Sequence, residues 1–191
     1  ANTQVIRVAM VAALKALAPA QSQLEAMQRL LLQHACDADV VLDLHCDFEA
    51  AVHLYAIPQH WPQLRSLAAR LQAGTVLLAE DSGGSSFDEA CSGPWLRLAQ
   101  RFAQAAIEPA CLASTVELGG MERTGREQAN ADAESILAFL AEQGLISGRW
   151  PAAPEDCCDA VPFAGTEMLY PPHAGVVSFL QPAGVYVEAG T

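Results

Sequence analysis

Leu24, Met27, Leu30 and Leu31 recur at helical spacing within Gln21 to His34, and a second helical stretch, Thr3 to Leu17, precedes them across Ala18-Pro19-Ala20. Ala38 to Leu44 (ADVVLDL) then breaks the period with a run of branched residues, the pattern of a strand buried on both faces. Further along, Val52 to Ile57 predicts a strand ended by Pro58. Trp61 to Leu71 predicts a helix, Thr75 to Ala79 a strand and Pro94 to Ala106 a helix. Ala113 to Leu118 predicts a strand, and Arg126 to Gln143 a helix stopped by Gly144. Strands alternating with helices predict an α/β fold: a mixed, mostly parallel sheet flanked by helices.

After Gly148 the pattern changes. Six prolines, from Pro151 to Pro182, punctuate short β-like pieces at Glu167 to Tyr170, Gly175 to Leu180 and Gly184 to Val187. The expected division is therefore 1–148 as an α/β domain and 149–191 as a linker with the first strands of a small β domain. Two or three short strands do not close a core alone, so the chain is expected to stop before that domain is complete.

With 191 residues, 52% of them hydrophobic and 17% charged, the chain can build one core with a small addition, and a disordered tail is excluded. Against 10 Lys+Arg stand 22 Asp+Glu, a net charge of −12, so nucleic acid and anionic lipid are not expected partners. The apolar stretch from Val5 to Leu17 is interrupted by Arg7 and Lys15, short of a membrane span. Six scattered cysteines without a Cys-x-x-Cys pair predict buried thiols in a reducing compartment, hence a soluble cytoplasmic protein; adjacent Cys157 and Cys158 are not expected to pair with each other.

Two segments carry chemistry. Asp43-Leu44-His45 puts a histidine just past the carboxyl end of a predicted strand, where open α/β sheets gather ligands; a loop hydrogen bond is the plainer role, and His53 is expected to be structural. Thr115-Val116-Glu117-Leu118-Gly119-Gly120 puts a carboxylate at the end of another strand beside a glycine pair. A Glu in an apolar run costs several kcal/mol unless it is paired or reaches a mouth of the sheet, and there it suits general acid–base work. Arg123 and Arg126 follow closely and could meet an anionic substrate, although most helical arginines are solvated. The glycine loop Ser82 to Ser86 is expected to be a turn, and Cys46, with no activating base indicated, a small buried thiol.

DLHCD and TVELGG, in this order, resemble the succinylglutamate desuccinylase/aspartoacylase family, relatives of the zinc carboxypeptidases. The resemblance continues through Glu80 to Gly84, Phe87-Asp88, Phe139 to Ile146 and Pro172 to Val177. It implies a zinc carboxypeptidase-like sheet followed by a biotinyl/lipoyl-like β domain beginning near Pro171. It implies that His45 is the third zinc ligand, that Glu117 activates the zinc-bound water, and that the substrate is a small N-acyl amino acid cleaved at its amide. The family's first two ligands, from an upstream His-x-x-Glu motif, and the Asn and Arg segment that follows it are not in this sequence. The chain is therefore expected to be an internal fragment with an incomplete zinc site; a homo-oligomer is admitted. Alternatives are a binding or scaffold protein that keeps the fold without turnover, and a zinc carboxypeptidase acting on peptides.

Overall fold

Helix α1 (Asn2–Lys15) and helix α2 (Gln23–Ala35) form where the periodicity predicts them, and the start of α2 shows why. Ser22 accepts a hydrogen bond from the Glu25 N–H at 3.1 Å while the Glu25 carboxylate accepts one from the Gln21 N–H at 2.6 Å. The first bond satisfies a donor that the helix start leaves open, and the second pins the residue before the cap to the first turn. The computed structural model describes residues 2–156 and 158–189, so Cys157 and the notion that it does not pair with Cys158 lie outside the described residues, as do Ala1, Gly190 and Thr191.

The chain continues through strand β1 (Val40–Asp47), strand β2 (His53–Ala56), helix α3 (Trp61–Arg70) and strand β3 (Thr75–Leu78). Helix α4 (Phe87–Arg101), strand β4 (Leu112–Gly120), helix α5 (Arg126–Glu142) and strand β5 (Ala160–Pro162) follow. The strands form one sheet in the order β1-β4-β2-β3-β5, with β2 parallel to β3 and β3 parallel to β5. A mostly parallel sheet flanked by helices is the architecture the alternating pattern predicts. No helix among the described residues is long and apolar enough to cross a membrane.

The residues gather into two clusters. In the first, 1–43 with 80–115, Cys91, Trp95, Cys111 and Ala113 form a core against which Ile6, Met10 and Leu32 pack. Arg7 ties this cluster together: its Nη2 donates to the Ala110 and Ala38 carbonyls at 2.7 and 3.2 Å and meets Asp39 at 2.7 Å. Cys91 and Cys111 share a thiol–thiol hydrogen bond, and that bond together with burial pushes the Cys91 thiol well up. In the glycine loop Asp81 accepts from the Gly83 N–H at 2.8 Å, closing the expected turn.

In the second cluster, 44–79 with 116–191, Leu54, Leu64, Leu67, Val76, Val116 and Phe139 are sealed from solvent. Burying each such side chain contributes about 1.5–3 kcal/mol. Arg70, at the end of α3, bonds to Glu142 at the end of α5 and donates to the Pro151 carbonyl at 2.9 Å.

Four expectations need correction. The α4 helix starts at Phe87, not Pro94: Asp88 and Glu89 in its first turn complement the helix dipole, and buried Cys91 and Trp95 hold the turn ahead of the proline. It also ends at Arg101, with a short 3-10 turn over Ala103–Ala105. The segments at 167–170, 175–180 and 184–187 carry no strand; Leu169, Val176, Leu180 and Tyr186 are almost fully exposed there, without a second layer to bury them. Within 149–191 the sheet instead gains β5, whose three residues end in a proline that is tolerated on an edge strand. Cys46 is exposed rather than buried.

Burial works against the Glu142 carboxylate, but hydrogen bonds from Arg70 and Ser66 outweigh it and hold this group below its usual range. A lowered carboxylate stabilises the fold above its unfolded-state pKa, and the gain disappears as pH falls through the folded value. Arg70→Met should therefore cost about 1–3 kcal/mol at pH 7 in urea unfolding, and the gap from wild type should narrow at acid pH. A gap independent of pH would remove the Arg70–Glu142 pair from this role.

Candidate active site at the carboxyl ends of β1 and β4

Strand β1 outlasts its apolar run. The sequence places His45 just past the strand; in the structure β1 continues to Asp47, so His45 lies on it, in an exposed position. The added length comes from main-chain pairing with β4, its neighbour in the sheet, which needs no apolar side chain.

Two main-chain bonds fix how β1 and β4 run. Leu112 N–H donates to the Asp39 carbonyl at 2.8 Å, and Met121 N–H donates to the Phe48 carbonyl at 3.2 Å. In a parallel ladder an N–H reaches the carbonyl just before its partner residue. Leu112 thus stands beside Val40 and Met121 beside Glu49, and counting inward from either end sets Glu117 beside His45. Asp43, His45 and Asp47 alternate onto one face of β1.

Glu117 is half-buried between fully buried Val116 and the glycine pair. Its Oε2 is buried and has no hydrogen-bond partner among the described residues. A buried acceptor left in that state costs about 1–3 kcal/mol unless another group meets it. Just beyond, Gly119 takes φ +96°, and a Cβ there would stand 2.5 Å from Arg123 Cδ. Glycine lets the chain turn so that Arg123 folds back, its Nη1 donating to the Leu118 carbonyl at 2.7 Å and its Nη2 3.5 Å from Asp132.

Arg123 also lines a groove of about 600 Å³ with Glu49, Ala51, Glu122, Phe179 and Pro182. The segments after β1 and after β4 both reach this groove, at the carboxyl ends of the strands. Arg126 is exposed at the first position of α5, away from these bonds. The structure thus joins His45 to Glu117, commits Arg123 to the turn that follows them and leaves Arg126 at the surface.

Tyr55 is the neighbour that sequence patterning missed. It sits half-buried on β2, on the far side of β4 from β1. Burial first, then the charges of Glu117 and Asp47, push its phenol above the usual tyrosine range. A tyrosine in a strand carries no signal of its own; only the strand order reveals it.

As for zinc, His45 offers one imidazole, and Glu117 offers a carboxylate with an unsatisfied oxygen. Among the described residues no three His, Cys, Asp or Glu side chains converge to hold a metal ion. One imidazole beside one carboxylate falls short of the three protein ligands that a catalytic zinc requires, and the described residues do not complete the set.

The sequence model of the succinylglutamate desuccinylase/aspartoacylase catalytic domain matches residues 13–143. No curated protein sequence matches the chain. Among solved structures, a succinylglutamate desuccinylase/aspartoacylase family protein from Shewanella amazonensis SB2B superposes with TM-score 0.79 at 28% identity, over 96% of this chain and 50% of its own. A protein of Shewanella frigidimarina NCIMB 400 that carries the same pair of names gives 0.74 at 24% identity, over 94% of this chain and 48% of its own. The ectoine utilization protein EutE (DoeB) of Ruegeria pomeroyi shares the fold at TM-score 0.50 and 13% identity, over 76% of this chain and 42% of its own. The chain spans about half the length of the two Shewanella structures. With well over half of its residues matched, the chain belongs to the succinylglutamate desuccinylase/aspartoacylase family.

Proposed function

We propose that this chain forms part of a zinc-dependent hydrolase that cleaves the amide bond of small N-acyl amino acids. The observation that carries it is the unsatisfied, buried Oε2 of Glu117 beside His45 on the adjoining strand. His45 would hold zinc together with two ligands from outside the described residues, and zinc supplies a water of lowered pKa at neutral pH.

The chain's own residues do the rest. Glu117 Oε2, without a hydrogen-bond partner among the described residues, takes the proton of the attacking water and passes it to the departing amine. The half-buried setting of Glu117 keeps bulk water from competing for that oxygen. The groove beyond the strand ends receives the acyl amino acid, with Arg123 at its wall and Arg126 nearby in sequence as the cations for an anionic end. In the same proposal 1–148 is the catalytic part, 149–191 leads into a small β domain, and the protein works in the cytoplasm.

Two outcomes are expected. In the full-length protein, assayed over succinyl, acetyl and longer acyl amino acids, Glu117→Gln should cut turnover by roughly 10² or more with metal content unchanged. Unchanged turnover removes Glu117 from the chemistry, and a wild type inactive on every donor removes the deacylase assignment. The 191-residue chain alone should purify with far less than one zinc per molecule. Tight stoichiometric zinc that is lost in His45→Ala would show that the chain completes its own site.

A further inference from the structure

The glycine pair that ends β4 seats two side chains of opposite charge. Gly119 makes room for Arg123, whose Cδ and Nη1 would stand 2.5 and 2.8 Å from a Cβ at that position. Gly120 does the same for Glu122, whose Oε2 and Cδ would stand 2.5 and 2.8 Å from a Cβ there. A guanidinium and a carboxylate are thus folded back against consecutive residues at the end of one strand, where no larger residue would admit them.

The turn that carries them is tight. Arg123 N–H donates to the Gly120 carbonyl at 3.0 Å, and Thr124 N–H donates to the Glu122 carbonyl at 2.8 Å. Among the described residues Arg123 takes its ion-pair partner, Asp132 at 3.5 Å, from α5 rather than from adjacent Glu122. Each Nη of a guanidinium carries two hydrogens, and the bonds to Leu118 and Asp132 use one on each, so Arg123 can still receive a carboxylate.

Arg123 and Glu122 both line the groove of about 600 Å³, and Glu49 lines it from the segment after β1. Phe179 and Pro182 add apolar wall. Two carboxylates there outnumber one guanidinium that Asp132 already matches, so the groove is negative. A dicarboxylic amino acid would set its second carboxylate against Glu49 and Glu122. An amino acid with a side-chain ammonium would find them complementary.

We propose that Arg123 and Glu122 together read the amino-acid half of the substrate: Arg123 takes its carboxylate and Glu122 takes an ammonium on its side chain. The preferred substrates are then acylated diamino acids rather than acylated dicarboxylic ones. This rests on the deacylase assignment and names the substrate class for that same site.

The test uses the full-length protein and Nα-acylated lysine, norleucine and glutamate, all carrying whichever acyl group the wild type turns over best. Lysine and norleucine share a carbon chain and differ by the ammonium. Wild-type kcat/KM should favour the lysine compound over the norleucine one by about fivefold or more, with the glutamate compound last. Glu122→Gln should bring the lysine-to-norleucine ratio to within about twofold of one, and Glu122→Lys should place glutamate above lysine. Gly120→Ala keeps the carboxylate but takes away its seat, and should lower the ratio as well, which the overall negative charge of the protein would not explain. In amide spectra free lysine, but not free norleucine, should move the Gly119 and Gly120 signals, and Glu122→Gln should abolish that movement. A wild type that favours the glutamate compound, or a lysine-to-norleucine ratio indifferent to Glu122→Gln, would overturn the proposal. A wild type inactive on every donor would overturn the deacylase assignment instead, and the amide spectra would still decide whether this pair of side chains binds an amino acid through its ammonium.

Discussion

The pairing of β1 with β4 is the constraint on which everything else depends. One hydrogen bond at each end of the pair sets the same parallel register, and that register alone brings an imidazole and a carboxylate from distant parts of the sequence to the same level of the sheet. A slip of one residue would send Glu117 to the opposite face, away from His45. The turn at Gly119 and the grip of Arg123 on the Leu118 carbonyl guard against that slip at the carboxyl end of β4.

The energetic logic of the site is a cost accepted locally and offset elsewhere. A buried Glu117 Oε2 without a partner among the described residues costs stability, whereas the sealed core around Leu54, Leu64, Val76, Val116 and Phe139 holds β2, β3 and the second half of β4 in place. A rigid strand is a better mount for such a group than a loop would be, because its side-chain direction is set by main-chain bonds on both sides.

Much of this was legible in the sequence. Branched runs at Val40 and Thr75 and helical periodicity from Gln23 and Arg126 mark elements that the structure places within a few residues of expectation. The glutamate in TVELGG stood out because a charge within an apolar run needs a reason. What patterning could not show was anything set by pairing: the continuation of β1 past Leu44 through His45 and Asp47, and the three-residue edge strand β5. Pro94 misled in the other direction, since a proline favoured at helix starts sits here inside α4. The β-like pieces after Glu167 have strand composition without a partner strand, and composition alone does not make a sheet.

The most direct test is a crystal structure of the full-length protein grown with zinc and measured at the zinc absorption edge. An anomalous peak should lie within about 2.1 Å of a His45 ring nitrogen, with Glu117 Oε2 within hydrogen-bond reach of the metal's open position. A zinc peak away from His45, or a Glu117 turned to the other face of the sheet, would contradict the account.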